Sequence, residues 1–161
     1  MEYMDETTLA HKHTSPWLIA FRIIFTIALV WCILFIFHNS LETSSISSAR
    51  SHEVMQKINA ILAHLNIGPL SEHVVRKLAH FSEYAVLGGL YAAAIRLSLN
   101  GRSGRGAAAL RTGLPLLLGL AYAAGDEWHQ AFVPGRGPAV RDVLIDFAGV
   151  LAGTLLVLAA A

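Results

Sequence analysis

The sequence predicts an all-α membrane protein: a four-transmembrane-helix bundle with one additional, extracytoplasmic amphipathic helix. Three observations lead there. Of the 161 residues, 55% are hydrophobic and only 14% are charged, well outside the profile of a soluble chain. Four apolar segments of the ~20 residues that a bilayer requires would use up most of this length, leaving no room for a second soluble domain. The polar residues that interrupt those segments gather at segment ends, most densely over 125–149, GDEWHQAFVPGRGPAVRDVLIDFAG, a polar island between two apolar runs.

Taken in order, residues 1–15 are polar, with His11 and His13 flanking Lys12, and read as a flexible cytoplasmic tail rather than a metal site. Residues 16–161 read as one transmembrane domain. Its first span, 16–37, carries Trp17 and Arg22 near the start, and Arg22 can extend its guanidinium to the headgroups. A signal peptide with a cleavage site at 47–49 is the rival reading. It fails because three acids precede the apolar core and the site lies about ten residues beyond its end. The serine-rich stretch 40–51 reads as loop. Within 53–67, Val54, Ile58, Ile61, Leu62 and Leu65 recur at helical spacing, which gives an amphipathic helix lying on the membrane surface or packed on its own bundle. Gly68 and Pro69 end it, and Ser71 is placed to cap the next helix.

The second span, 74–97, is polar only between Arg76 and Tyr84, and apolar and small beyond. A short loop over 100–111 holds Arg102, Arg105 and Arg111 and no acid. The third span, 112–131, ends in the polar run from Asp126 to Gln130. A proline- and glycine-rich loop follows, and the fourth span, 141–161, begins with Asp142 and Asp146. The single cysteine, Cys32, lies in an apolar run, so no internal disulfide forms. A net charge of +1 without a basic stripe excludes nucleic acid as a partner.

Antiparallel spans place the start of the second, the end of the third and the start of the fourth on one side of the bilayer. Lysines and arginines divide six against six between the two sides. Their distribution decides the orientation, because Arg96, Arg102, Arg105 and Arg111 crowd one short, acid-free loop, and short loops carry the positive-inside signal. Both termini are then expected in the cytoplasm of a multi-pass plasma (inner) membrane protein, with the polar cluster outside. Spacing also sets which way these groups face. Asp142, Asp146, Gly149 and Gly153 fall on one stripe of the fourth span; Gly119, Tyr122, Asp126 and His129 form another on the third; Lys77, His80, Tyr84 and Gly88 a further one on the second. Each stripe joins small residues to an ionisable end, which implies close backbone packing below and a polar pocket above.

The segments KLAHFSEY, DEWHQAFVPGR and RDVLIDFAG together resemble the VanZ-like membrane proteins, named for a teicoplanin-resistance factor, over residues 74–153. The resemblance implies a four-helix membrane protein and associates the founding member with low-level glycopeptide resistance; it implies no settled reaction. The polar positions of the pattern map onto Lys77, His80, Glu83, Asp126, Glu127, His129, Gln130, Pro134, Gly135, Arg136, Asp142, Asp146 and Gly149.

Five carboxylates, Glu83, Asp126, Glu127, Asp142 and Asp146, stand near a bilayer in which a mid-membrane charge costs about 2.5–3.5 kcal/mol, so each must be paired, protonated or wet. A purely structural reading makes them one half of an interhelical clamp neutralised by Lys77, Arg136 and Arg141. The surplus of acids points further, to a site for a phosphate-bearing or lipid-linked ligand. In that reading Arg136 and Lys77 supply positive charge, Gln130, Asp142 and Asp146 contact ligand, and His80, Glu83, Asp126, Glu127 and His129 are the candidate acid-base groups. Ser82 is the one candidate nucleophile. The partners expected are membrane lipids and a lipid-linked envelope precursor or a glycopeptide-related ligand, with no cofactor and an open oligomeric state. Two alternatives remain. His80 with Glu83 and Asp126 with His129, each three residues apart on facing helices near Asp146, could ligate a metal ion in a membrane enzyme. An ion-coupled transporter fits the acids but not four short spans without broken helices.

Overall fold

A computed structural model describes residues 15–160; the expected N-terminal tail with His11 and His13 lies outside the described residues. Five helices follow in order, α1 (Pro16–Ser40), α2 (Ser44–His64), α3 (Glu72–Ser98), α4 (Arg105–Gln130) and α5 (Val140–Ala159), with no strand among the described residues. Three of them, α1, α4 and α5, are long and apolar enough to cross a bilayer. Their outer faces stay uncovered by protein: Ile27, Leu117 and Leu156 are 64%, 63% and 70% exposed. Apolar surface on that scale is covered by lipid in a membrane-embedded protein.

α3 stands at the centre, against α1, α4 and α5, with α2 laid along its first half. The tightest contact is backbone on backbone. A Cβ added at Gly149 of α5 would lie 2.3 Å from the Phe81 carbonyl oxygen, one at Gly153 1.8 Å from that of Ala85, and one at Gly88 of α3 2.3 Å from that of Val150. Only glycine permits this approach, which the small-residue stripes of α3 and α5 anticipate. Thr154 Oγ1 donates to the Gly88 carbonyl across the same seam at 3.3 Å. α4 closes the bundle by setting Gly119 over the Val150 side chain. Tyr84, Leu87, Ala123, Val150, Cys32 and Ile36 make up the buried core.

Both ends of α3 are satisfied. Ser71 caps its start, its hydroxyl accepting from the Val74 N–H at 3.4 Å. At the far end Arg22 donates through Nε and Nη2 to the Leu97 carbonyl at 3.1 and 2.9 Å, and Arg111 donates to those of Leu99 and Arg102 at 3.0 and 2.9 Å. Arg22 therefore turns inward instead of reaching for headgroups, because the last carbonyls of a helix lack partners within it.

Two stretches read as loop are helical. The serine-rich segment is the first half of α2, which starts at Ser44 and buries Ser47. Serine has weak helix propensity, but here the Ser44 N–H reaches the Pro134 carbonyl at 3.4 Å and Arg76 Nη2 donates to Ser48 Oγ at 2.5 Å, so tertiary contacts override it. The arginine loop is likewise shorter than expected. Gly104, at φ 94°, turns the chain, and helix α4 begins at Arg105, carried by the alanine run 107–109.

The seam predicts a sharp contrast between two glycines in α3 and α5. Gly153→Ala must push the helices apart and should lower stability in detergent by about 1–3 kcal/mol, as overpacking does. Gly89→Ala, whose Cβ would meet nothing nearer than 3.6 Å, should stay within about 0.5 kcal/mol of the wild type. Thermal melts followed by circular dichroism measure both.

Candidate functional site

The polar residues converge where the end of α1, the first halves of α2 and α3 and the loop 131–139 meet. That loop is pinned from both sides. Glu127 Oε1 accepts from the Ala139 backbone N–H at 2.6 Å, and the Ser44–Pro134 bond ties the loop to the first turn of α2. Within it Arg136 N–H donates to the Val133 carbonyl at 3.1 Å, and Gly135 takes φ 78°. This turn aims the Arg136 side chain inward, where Nη2 donates to the Asn39 carbonyl at 3.4 Å.

Two adjoining chambers open beside Arg136. One, of about 150 Å³, is walled almost wholly by polar groups, among them Lys77, His80, Gln130, Arg136 and Asp142. The other, of about 230 Å³, has a polar side with Asn39, Arg50, His80, Glu83 and Arg136 and an apolar side with Phe35, Val54, Val75 and Ala79. Ser47, Arg76, His80 and Arg136 line both, so the two chambers adjoin at these side chains.

Around it the charges are partly paired. Lys77 Nζ lies 2.5 Å from Asp142 Oδ1, Arg50 Nη2 lies 2.8 Å from Glu42 Oε2, and Arg76 bonds Glu72. Arg136 has no carboxylate within ion-pair distance among the described residues, and its guanidinium is lowered from its ordinary value by burial and by the neighbouring Arg76 and Arg50, against the pull of Asp126 and Glu42. An arginine stays protonated all the same. It is a charged, half-buried fork with a single neutral acceptor. Asn39 organises the opposite wall: its amide Nδ2 donates to Glu83 Oε1 at 3.0 Å, and its Oδ1 accepts from Arg50 Nη1 at 3.1 Å.

Behind the lining stands a layer of buried polar groups. Gln130 Nε2 donates to Asp126 Oδ2 at 3.0 Å and reaches Ser40 Oγ at 3.4 Å. His80 Nδ1 faces Asp146 Oδ1 at 3.7 Å, too far for a hydrogen bond. Asp126 Oδ1, Asp146 Oδ1 and the Tyr84 hydroxyl are buried without a hydrogen-bond partner among the described residues. Tyr122 gives its hydroxyl to the Ile33 carbonyl at 2.8 Å instead.

Of the residues singled out in the sequence, Lys77, His80, Glu83, Gln130, Arg136 and Asp142 line the pocket, and Asp126 and Asp146 back it. Glu127 is spent on the loop backbone. His129 packs its ring against Phe37, centroids 5.2 Å apart, and lines neither chamber. Arg141 is exposed and makes no ion pair among the described residues, so of the three cations of the expected clamp only Lys77 holds an acid. Ser82 is exposed and gives its hydroxyl to the Leu78 carbonyl four residues back at 2.7 Å. Among the described residues no three His, Cys, Asp or Glu side chains gather closely enough to hold a metal ion. Asn39, Ser47 and Arg50 were not candidates. Their only signal was a polar ending to α1 and an arginine inside a serine-rich run.

A family model described as VanZ/LLP1 matches residues 21–161, and so takes in α1 from its second turn, the whole of α2 to α5 and every residue that lines the two chambers. No curated protein and no solved structure matches the chain.

The Lys77–Asp142 pair joins α3 to α5 at the rim of the pocket, with side chains 20% and 28% exposed. Removing one partner leaves the other half-buried and unpaired. Lys77→Met and Asp142→Leu should therefore each destabilise more than their combination, with a coupling of about 0.5–3 kcal/mol in a double-mutant cycle. Additive losses in denaturant titrations would mean that the pair does not hold the helices together.

Proposed function

This chain belongs to the VanZ/LLP1 family, and we propose that it is a four-span protein of the plasma membrane whose pocket faces outward and binds a phosphate-bearing or lipid-linked ligand of the cell envelope. Arg136 carries this reading. A guanidinium fork that is partly desolvated and has no carboxylate within ion-pair distance among the described residues, beside Arg76 and Lys77 whose charges are met by Glu72 and Asp142, attracts an anion and matches phosphate geometry.

The fourth span is α3. Its 27 residues extend ~40 Å, it is enclosed by α1, α4 and α5, and each charge in its first half meets a partner: Arg76 on Glu72, Lys77 on Asp142, Glu83 on Asn39. Polar groups satisfied inside a bundle are compatible with a membrane position. α2, with Val54 and Ile61 exposed along it and Leu65 at its end, fits an amphipathic helix at the outer interface. The orientation rests on the four arginines between residues 96 and 111, at the end of the bundle opposite the pocket. Glycopeptide-related ligands belong in the same panel as phosphate-bearing lipids because of the family's founding member.

Lys77, His80, Glu83, Gln130, Arg136 and Asp142 line chambers of which the Lys77–Asp142 pair is only one strut, so ligand binding, and not bundle integrity alone, is the role proposed for these six. Arg136→Ala in purified protein should weaken an anionic envelope lipid at least tenfold, the loss of one charge-assisted bond of about 1.5–3 kcal/mol. Arg141→Ala should change it less than twofold. Equal binding of all lipids and glycopeptides by wild type and Arg136→Ala would leave the interhelical clamp as the role of these charges. Orientation is tested in intact cells in a Cys32→Ser background: an impermeant maleimide should label Gly137→Cys directly and Ser103→Cys only after lysis, and the reverse pattern would place the pocket in the cytoplasm.

A further inference from the structure

The two chambers differ in character, and their junction says what kind of molecule spans them. The smaller is polar on nearly every side; its Lys77 is paired with Asp142 at 2.5 Å, which leaves Arg136 as the cation without a carboxylate within ion-pair distance among the described residues that line it. The larger shares Arg136, Arg76 and His80 with it at one end, then passes between Phe35 of α1, Val54 of α2 and Val75 of α3. Phe35 and Val54 line this passage yet leave 41% and 43% of their surface exposed, so its mouth lies between α1 and α2 and borders the uncovered apolar surface of α1. Each chamber is smaller than the ~300 Å³ at which pockets begin to enclose a drug-sized ligand. A long molecule held here must extend out through the mouth.

We infer that the pocket takes an anionic lipid sideways from the bilayer, its phosphate against Arg136 and Arg76 and the first part of its chain between Phe35, Val54 and Val75, with the rest left in the membrane. This rests on the anion-binding reading above and narrows it from a phosphate-bearing ligand to an amphiphile with a lateral entry. Charge complementarity selects the headgroup, and the apolar passage selects against a free phosphate ester. A soluble ester would leave the exposed surface of Phe35 and Val54 wet, whereas an acyl chain removes that surface from water. α2 then forms one jamb of the entry, which places its exposed Val54 at the boundary between pocket and lipid.

The test uses the full chain in detergent micelles, with binding read by native mass spectrometry for dimyristoyl phosphatidic acid, dimyristoyl phosphatidylcholine and glycerol 3-phosphate. Phosphatidic acid should bind at least tenfold more tightly than either of the others. Val54→Trp, which fills the mouth from an exposed position, and Val54→Asp, which puts a charge there, should each weaken phosphatidic acid at least fivefold while the thermal melt stays within 3 °C of the wild type, about 1 kcal/mol or less for a chain of this size. Either variant serves if the other fails to fold. Glycerol 3-phosphate binding as tightly as phosphatidic acid, or phosphatidic acid affinity untouched by both Val54 variants, would overturn the lateral entry. If in that case Arg136→Ala still lowers anion binding, the anion pocket survives without it; if Arg136→Ala changes nothing, the anion reading itself falls.

Discussion

Contact between α3 and α5 through bare backbone is the constraint from which the remaining geometry follows. Gly88, Gly149 and Gly153 let the two helices approach until a single added carbon would collide with a carbonyl oxygen. In lipid there is little hydrophobic drive to bring helices together, so van der Waals contact of this closeness is what holds them. That seam fixes how far apart the upper ends of α3 and α5 can stand, and it is this distance that lets Lys77 reach Asp142 and sets His80 facing Asp146. α4 then fits against the same seam through Gly119, which brings Asp126 and Gln130 up behind the pocket.

The buried polar layer is organised unevenly, and the unevenness is informative. Asp142 and Glu83 have donors, Glu127 has a backbone amide, and one oxygen of Asp126 has Gln130. The other oxygen of Asp126, Asp146 Oδ1 and the Tyr84 hydroxyl have none among the described residues. A chain selected only for a stable clamp would lose nothing by carrying apolar residues at these positions. Polar atoms buried without partners carry a desolvation cost that the partnered ones do not.

Much of this was legible in the residues. The 3- and 4-residue spacings of Asp142, Asp146, Gly149 and Gly153, and of Lys77, His80, Tyr84 and Gly88, identify the facing stripes because helical period alone decides which side chains share a face. The parts of the pocket supplied by α2 and by Asn39 were not legible for a different reason. Serines 44 to 51 carry no apolar period, and their helix exists because Arg76 and the loop at Pro134 bond to it. Asn39 acts through a side-chain amide and a backbone carbonyl at once, and no residue type announces that. Arg141 and Arg136 are both counted among the clamp cations, yet one lies exposed on the first turn of α5 and the other is turned inward by Gly135. Backbone conformation separates them, and composition does not.

The bond from Glu127 to the Ala139 amide has a bearing on how such a pocket could diversify. A carboxylate that grips a backbone N–H is indifferent to the side chain above it, and at position 139 only proline would abolish the donor. The loop is thus moored by its main chain at one end while its side chains between 131 and 138 remain free of that duty. Substitutions at the exposed positions 131, 132 and 138 leave this mooring in place, whereas Glu127 supplies it and Gly135, at φ 78°, sets the turn it holds.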